Sequence, residues 1–277
     1  MTLPTFLGIG VPRGGTTWLH TWLASHPDVC MPTQRKELRF FDRHYEKGLD
    51  WYEAFFCPPD DAHRYQAIGE ISPQYLYSEQ CPERIHSILP KAKLVLMLRH
   101  PVDRAYSNYG FTVKRGRFTG SFEDFIASRP NTLDMGFYSR YLKRYLEYFD
   151  KSQMFGMLFE EAFADRDEPR RRLAEFVGVP IERFPAADIT KKVNPSAVPS
   201  SRRLSGLTTR VGRRLRRAGL EWVVDASRRL RLQALVARGA PLPRIDEGLR
   251  QELSRQYESE FEELEECLDV DLSRWRS

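Results

Sequence analysis

The chain has 277 residues, of which 41% are hydrophobic and 29% charged, and its formal net charge is +5. This length and apolar content are enough to bury the core of one α/β domain, expected to cover residues 1–277. No apolar run of 18 residues and no paired CxxC motif occur, which argues against a membrane span and a cysteine metal site. The four cysteines predict free thiols and a cytoplasmic location, with a disulfide between Cys57 and Cys81 as the alternative.

The first predicted element is a strand at residues 5–11, followed by a glycine turn and an amphipathic helix. Gly10 and Gly15 have the spacing of a Walker A loop, but Thr16 stands where that loop has its lysine. The cation lies inside the loop instead, at Arg13. Converging N–H groups, a helix N-terminus and a forked guanidinium suit a phosphate or sulfate. An ordinary strand–turn–helix connection is the alternative.

Residues 11–19 resemble the 5′-phosphosulfate loop of sulfotransferases that use PAPS (3′-phosphoadenosine 5′-phosphosulfate). Many members of that family carry lysine at the position of Arg13, and the tyrosylprotein group carries arginine there. The resemblance implies that the loop and the start of the helix bind the sulfate-bearing end of the donor. The residues so assigned are Arg13, Gly14, Gly15, Thr16, Thr17 and Trp18.

Residues 25–29 and 36–42 are similar to the heparan-type sulfotransferases, in which helix one ends in His-Pro and a glutamate precedes Phe-Phe-Asp. The resemblance implies that Glu37 is the general base that takes the proton of the acceptor hydroxyl. We expect Phe40 and Phe41 to exclude water from this carboxylate. The alternative is a charged loop beside two core phenylalanines. None of the six histidines is preferred to Glu37 as the base.

A second strand is predicted at residues 67–70, followed by Ile71, Ser72 and Pro73. The heparan-type enzymes have a Glu-Lys-Thr/Ser-Pro-like run here, and this chain has Ile71 at the lysine position. That departure removes one cation near the acceptor and weakens the case for a heparan-like substrate. Glu70 is either a supporting carboxylate of the acceptor site or a strand-end residue.

The apolar run at residues 93–98 predicts a strand buried on both faces, with Arg99 at its end and a helix after Pro101. An arginine at a strand end followed by a serine two helical turns later resembles the 3′-phosphate element of the same family. It implies that Arg99 and Ser107 bind the 3′-phosphate of PAPS. The alternative is an arginine at the sheet edge and a serine on a solvated helix.

A further strand at residues 154–158 and helices at 137–149 and 168–177 complete an alternating pattern. The pattern predicts an α/β fold with a central, mostly parallel sheet flanked by helices, similar to P-loop NTPases. In such sheets ligands bind at the C-terminal ends of the strands.

Eleven arginines and two acidic residues make residues 202–238 strongly basic. We expect residues 202–245 to be a helical insertion or lid within the domain. A solvated helical face, a surface for an anionic acceptor or carrier, and contact with an anionic membrane are the open alternatives. The resemblance suggests that Arg202 or Arg203 closes over PAPS. The tail, residues 247–275, is predicted to be one charged amphipathic helix.

These patterns together predict a PAPS-dependent sulfotransferase that sulfates a hydroxyl or amine of a carbohydrate or small molecule, with PAP as the second product. No metal is required for this reaction, because the loop cation can neutralise the charge on the leaving phosphate. A P-loop kinase is the rival enzyme, and Thr16 in place of the Walker lysine argues against it. An Arg-rich nucleic-acid-binding protein is the non-enzyme rival, although no nucleic-acid partner is expected. The acceptor, which can be anionic or carrier-bound, and the oligomeric state stay open.

Overall fold

The computed structural model describes residues 2–163, 167–185 and 245–276. Five parallel strands form one sheet in the order β2-β3-β1-β4-β5. They are β1 (Phe6–Gly10), β2 (Val29–Cys30), β3 (Ala67–Ile71), β4 (Lys93–Leu98) and β5 (Met154–Leu158). The α/β prediction with a parallel sheet is therefore confirmed, and the two-residue β2 is the strand that the sequence pattern did not reveal.

Helices connect and follow these strands. In chain order they are α1 (Thr16–Ala24), α2 (Gly48–Glu53), α3 (Cys81–Ile88), α4 (Pro101–Lys114), α5 (Phe122–Ala127), α6 (Asn131–Asp134), α7 (Tyr138–Leu146), α8 (Phe159–Ala162), α9 (Glu168–Val177), α10 (Glu247–Arg255) and α11 (Glu258–Cys267). The predicted helices at 137–149 and 168–177 correspond to α7 and α9.

The chain divides into two compact units. The first comprises Met1–Pro101, Phe137–Val193 and Gln256–Ser277 and contains the whole sheet. The second comprises Val102–Gly136 and Asn194–Arg255. A single domain over residues 1–277 stays a prediction, and all of the predicted lid except its last residue lies outside the described residues.

The core of the first unit is built on the sheet. Every residue of β1 and β3 is buried. Successive side chains of a strand point to opposite faces, so burial of all of them shows that both faces of the sheet are covered. Trp18 and Trp22 of α1 stack on each other at 5.5 Å within this core, and Phe184 stacks on Trp22 at 4.1 Å.

An aromatic cluster forms the core of the second unit. The Tyr109 ring lies 5.5 Å from Phe125 and 5.7 Å from Phe122. Ser121 and Asp124 cap α5 reciprocally, each side chain accepting from the other residue's backbone N–H. Such a capping box defines where the helix begins and so orients Phe122 and Phe125 toward the cluster.

The prediction of one helix over residues 247–275 is wrong. The tail forms α10 and α11, and its last residues form a short helical turn, Ser273–Trp275. At the break between the helices, Tyr257 is fully buried and its ring lies 4.8 Å from Phe137. The helix is interrupted where the Tyr257 side chain enters the core. The amphipathic spacing of the sequence does not reveal such an interruption.

Candidate functional site

Three neighbouring strands of the sheet end at one edge, and each is followed by a residue that the sequence analysis singled out. The glycine loop, residues 11–15, follows β1, while Ser72 follows β3 and Arg99 follows β4. Because these strands are parallel, their C-terminal ends meet at the same edge. The topology thus brings the glycine loop, Ser72 and Arg99 to one edge, and the binding of a ligand there stays a prediction.

The glycine loop is held against β4 by backbone hydrogen bonds. The Val11 N–H donates to Met97 O at 3.0 Å, and the Gly14 N–H donates to Val11 O at 2.9 Å. A Cβ atom at Gly14 would lie 2.3 Å from Met97 O, so a larger side chain does not fit there. Gly14 therefore shapes the loop, and its amide is engaged within the loop itself.

Helix α1 begins at the end of this loop with an uncompensated positive end. Gly15 precedes it with a φ of 99°, a conformation that favours glycine. No side chain caps the helix, and its first turn contains no acidic residue. The first amides of a helix have no acceptor within it, so Thr16 and Thr17 direct N–H groups and the positive end of the helix dipole toward the loop.

The two predicted cations, Arg13 and Arg99, lie together at this edge. Arg99 Nη1 donates to Arg13 O at 3.3 Å. The Arg99 guanidinium also lies 4.6 Å above the centre of the Phe159 ring, at the start of α8. Stacking on an aromatic face restrains the plane of a guanidinium.

Glu37 lies beside the loop through its neighbour Lys36. Lys36 Nζ is 3.4 Å from Thr16 Oγ1 and 3.4 Å from Glu37 Oε1. The Glu37 side chain is 42% exposed, which leaves its carboxylate accessible to an incoming acceptor. Lys36 is not among the predicted site residues, and the signal in the sequence that could have pointed to it is Thr16 at the position of the Walker lysine.

Phe40 and Phe41 do not shield Glu37 as expected. Both rings are in the core, 1% and 0% exposed, and Phe40 stacks on Tyr52 at 4.4 Å. The Glu37 side chain is 42% exposed, so water reaches it although both rings are buried. The phenylalanines thus anchor the loop that carries the carboxylate, and the prediction that they exclude water from it is wrong.

Glu70 is completely buried at the end of β3 and accepts four hydrogen bonds. Its Oε1 accepts from the hydroxyls of Tyr52 at 2.9 Å and Tyr75 at 2.7 Å. Its Oε2 accepts from Ser72 Oγ at 2.8 Å and from the Leu38 N–H at 3.3 Å. Burial raises the pKa of Glu70, and the donated hydrogen bonds oppose that shift.

This network also holds the chain that follows Glu37. The Leu38 N–H binds Glu70 directly, and the Arg39 N–H donates to Ser72 Oγ at 3.1 Å. Arg39 has a φ of 58°, so its backbone lies in the left-handed region that few side chains adopt. Glu70 is therefore a supporting residue of the Glu37 loop, and its buried carboxylate does not face an acceptor.

Exposed basic residues lie on both sides of Glu37 along the chain, between residues 35 and 47. Burial and then the charges of Arg35 and Lys47 lower the pKa of His44, and Arg43 adds to that effect. Lys47 Nζ also lies 4.6 Å over the Trp51 ring. These residues, Arg35, Arg43, His44, Lys47 and Trp51, are called the basic cluster below.

The remaining predicted site residues are placed less directly. Trp18 is 3% exposed and its ring is stacked on Trp22 in the core. Its side chain therefore supports the start of α1 by packing. Ser107 is buried on α4 in the second unit, and its role at a phosphate stays a prediction. Arg202 and Arg203 lie outside the described residues. His100 is 1% exposed, and its ring lies 5.8 Å from that of Phe261 in the core.

Among the residues that the structure describes, no group of three or more His, Cys, Asp or Glu side chains is arranged to hold a metal ion. None of the helices built from those residues has the length and apolar character needed to cross a membrane.

The parallel sheet and the glycine loop place the chain among the α/β proteins that bind an anion at a strand–loop–helix junction. The carboxylate beside that loop indicates group-transfer chemistry. A family model described as "Sulfotransferase domain" matches residues 3–205. The chain belongs to this family.

Curated relatives agree with this assignment. The chain is 32% identical over 184 residues to human heparan sulfate glucosamine 3-O-sulfotransferase 6, an alignment that covers 64% of the chain and 52% of the relative. It is 32% identical over 196 residues to human bifunctional heparan sulfate N-deacetylase/N-sulfotransferase 3, covering 64% of the chain and 22% of the relative. The chain thus spans between about a fifth and about half of the length of these relatives.

Solved structures support the fold. A sulfotransferase from Alicyclobacillus acidocaldarius matches with a TM-score of 0.71 and 24% identity, and the match covers 100% of both chains. At this level of identity the likeness shows a shared fold and leaves the substrate to be established from the site.

Proposed function

We propose that the protein transfers a sulfuryl group from PAPS to a hydroxyl or amine of a carbohydrate or small-molecule acceptor, with Glu37 as the general base. The observation that carries the proposal is the position of Glu37. Its carboxylate is linked through Lys36 Nζ, at 3.4 Å on each side, to Thr16 at the start of α1. A base beside an anion-binding loop is the arrangement that transfer to a hydroxyl requires.

The residues of the edge fit the donor. A phosphosulfate needs several N–H donors and cations, and the first turn of α1 contains no acidic residue that would oppose the positive end of the helix dipole. Arg13, Gly15, Thr16 and Thr17 would hold the 5′ end of the donor, with Gly14 giving the loop its shape. Arg99 and Ser107 would bind the 3′-phosphate, and Arg202 or Arg203 would close over the nucleotide.

PAPS supplies the activated sulfuryl group, with PAP as the leaving group. The transfer breaks the bond between sulfur and the 5′-phosphate oxygen, which keeps the electron pair, and forms a bond from sulfur to the acceptor oxygen. Glu37 accepts the proton of the acceptor hydroxyl. Arg13 and the amides at the start of α1 stabilise the negative charge on the phosphate, as donors do in phosphoryl transfer. This scheme requires no metal.

The basic cluster supports an anionic acceptor. Arg35, Arg43 and Lys47 are exposed and lie on the segment that carries Glu37. Their summed charge attracts a polyanion or an anionic carrier to the base. The curated relatives named above act on heparan sulfate by their names, which is consistent with an acidic glycan. A buried environment for all four thiols is compatible with a cytoplasmic location.

Donor binding tests the first half of the proposal. We expect PAP to raise the melting temperature of the wild-type protein and Mg-ATP to leave it unchanged. Stabilisation by Mg-ATP without any response to PAP would show a P-loop kinase instead. Salt-sensitive binding of duplex or single-stranded nucleic acid without PAP binding would show that the Arg-rich segment defines a nucleic-acid-binding protein.

Transfer of radiolabelled sulfate from PAPS to a panel of acidic glycans, neutral glycans, phenols and carrier-bound substrates tests the second half. With the best acceptor, Glu37→Gln is expected to lower kcat by about 10²–10⁴-fold while PAP affinity stays within about threefold. Glu83→Gln is the matched control, because Glu83 is exposed on α3 and far along the chain from the loop. Full activity of Glu37→Gln would remove Glu37 as the base.

A further inference from the structure

The start of α1 lacks the lysine of a Walker A loop, and the fold supplies an ammonium group there from another segment. Thr16 occupies the lysine position and is 5% exposed. Lys36, which lies 20 residues further along the chain, brings its Nζ to 3.4 Å from Thr16 Oγ1. A cation therefore stands beside the first residue of the helix although the helix itself does not carry it.

The same ammonium group also contacts the base. Lys36 Nζ lies 3.4 Å from Glu37 Oε1, so it stands between the donor side of the site and the acceptor side. A sulfuryl group that moves from the glycine loop to an acceptor beside Glu37 therefore passes near Lys36 Nζ. The Lys36 side chain is 24% exposed, and a partly desolvated charge acts more strongly on a neighbouring anion than one in water.

We propose that Lys36 is a second catalytic cation, which binds the sulfuryl oxygens of the donor and follows that group to the acceptor. The inference rests on the proposed function, since it needs PAPS as the donor. In the ground state the ammonium binds the sulfuryl end, and during transfer it neutralises charge on the oxygens of sulfur while Glu37 takes the acceptor proton. PAP has no sulfuryl group, so Lys36 contributes little to PAP binding.

A merely local role for Lys36 makes a different prediction. An ion pair between a quarter-exposed lysine and a half-exposed glutamate adds little to stability and has no connection with the donor. Under that role, removal of the ammonium group would leave the affinity for PAPS and for PAP equally unaffected. The ratio of the two affinities therefore separates the two roles without any measurement of turnover.

The experiment measures PAP and PAPS affinity by titration calorimetry, without acceptor, for wild type, Lys36→Met, Lys36→Gln and Lys36→Arg. Lys36→Met and Lys36→Gln are expected to weaken PAPS binding by at least tenfold, to change PAP binding by less than threefold, and to lower kcat by about 10²–10³-fold. Lys36→Arg keeps a charge and is expected to restore part of the PAPS affinity. Lys91→Met is the matched control, because Lys91 is exposed in the turn before β4.

The outcomes distinguish this inference from the proposed function. If the wild type binds neither PAP nor PAPS, the proposed function itself fails. If the wild type binds both and Lys36→Met and Lys36→Gln keep the same PAPS affinity, or lose PAP and PAPS affinity equally, the role of Lys36 is refuted and the proposed function stands. Two substitutions of different polarity guard against a variant that does not fold.

The pH dependence of PAPS affinity gives an independent readout. Burial and the charge of Arg13 lower the pKa of Lys36, whereas Glu37 opposes that shift. His20 also faces Lys36 from α1, and burial together with the Lys36 charge lowers its pKa to about 4, so it is neutral at alkaline pH. As the pH rises, Lys36 is therefore expected to lose its charge at a lower pH than an ordinary lysine does. Wild-type PAPS affinity should weaken over that same alkaline range. Lys36→Arg should not show that decline, and an identical alkaline limb in both proteins would refute the proposed contact.

Discussion

Removal of the buried carboxylate of Glu70 tests how the Glu37 loop is held. Glu70→Ala leaves four donors without their acceptor: the hydroxyls of Tyr52, Tyr75 and Ser72 and the N–H of Leu38. A lost hydrogen bond between buried groups costs about 1 kcal/mol, and more when the acceptor is charged. Four such losses amount to about 4 kcal/mol or more.

The cost of burying the carboxylate acts in the opposite direction. Burial raises the pKa of Glu70, which means that the fold disfavours its charged form. We therefore expect a net loss of about 3–4 kcal/mol in the free energy of unfolding, measured by urea unfolding with tryptophan fluorescence. Glu83→Ala, at an exposed position of α3, is expected to stay within about 0.5 kcal/mol of wild type.

A double-mutant cycle isolates the hydrogen bonds from the cavity that alanine leaves. Tyr52→Phe and Tyr75→Phe should each cost about 1 kcal/mol in the wild type and much less in the Glu70→Ala background. Glu70→Ala should also lower kcat while PAP affinity is kept, because Leu38 loses the carboxylate that holds the loop carrying Glu37. A stability loss below about 1 kcal/mol, or a tyrosine cost that is independent of Glu70, would refute this account of the network.

Three further predictions concern the glycine loop, Arg99 and the partly buried His20. Gly14→Ala is expected to destabilise the fold by about 1–3 kcal/mol and to reduce PAP affinity, because its Cβ would lie 2.3 Å from Met97 O. A wild-type free energy of unfolding in urea together with wild-type PAP affinity by calorimetry would contradict this. Arg99→Ala and Arg99→Lys should both weaken PAP binding by at least tenfold, since lysine lacks the stacked fork, and unchanged affinity would reject Arg99 as a ligand. His20 has a pKa lowered to about 4, so the unfolded chain binds its proton more readily and stability falls as pH drops from about 6.5 toward 4. With a discount for partial exposure, the loss between pH 7 and pH 5 is about 1 kcal/mol, and an equal loss in His20→Gln would contradict it.

The sequence predicted those parts of the site that depend on local patterns. The apolar runs of β1 and β4 and the glycines between β1 and α1 define strand ends and a loop without any knowledge of distant contacts. Parallel strands then bring Arg13 and Arg99 to one edge, and the observed 3.3 Å contact between them follows from that topology. A pattern of this kind is robust because each step depends on only a few neighbouring residues.

The missed features depend on contacts between distant segments. Lys36 and Thr16 are 20 residues apart, and Leu38 and Glu70 are 32 apart, so no local periodicity links either pair. Phe40 and Phe41 were expected at the base because they are close to it in sequence, yet the left-handed backbone at Arg39 turns the chain and directs both rings into the core. Sequence proximity did not reveal this turn.

Lys36 and Glu37 lie on one loop, and that loop is held in place by the buried carboxylate of Glu70. Lys36 and Glu37 are adjacent, so the loop cannot move the base without moving the ammonium group that contacts Thr16. The next residue, Leu38, is bound to Glu70 on β3, which pairs directly with β1, the strand that leads into the glycine loop. The distance between base and anion loop is therefore set by two adjacent strands of a rigid sheet. Substitutions at the end of β3 should consequently affect turnover more than donor affinity, because the residues proposed to contact the donor follow β1 and β4 or lie on α1 and α4.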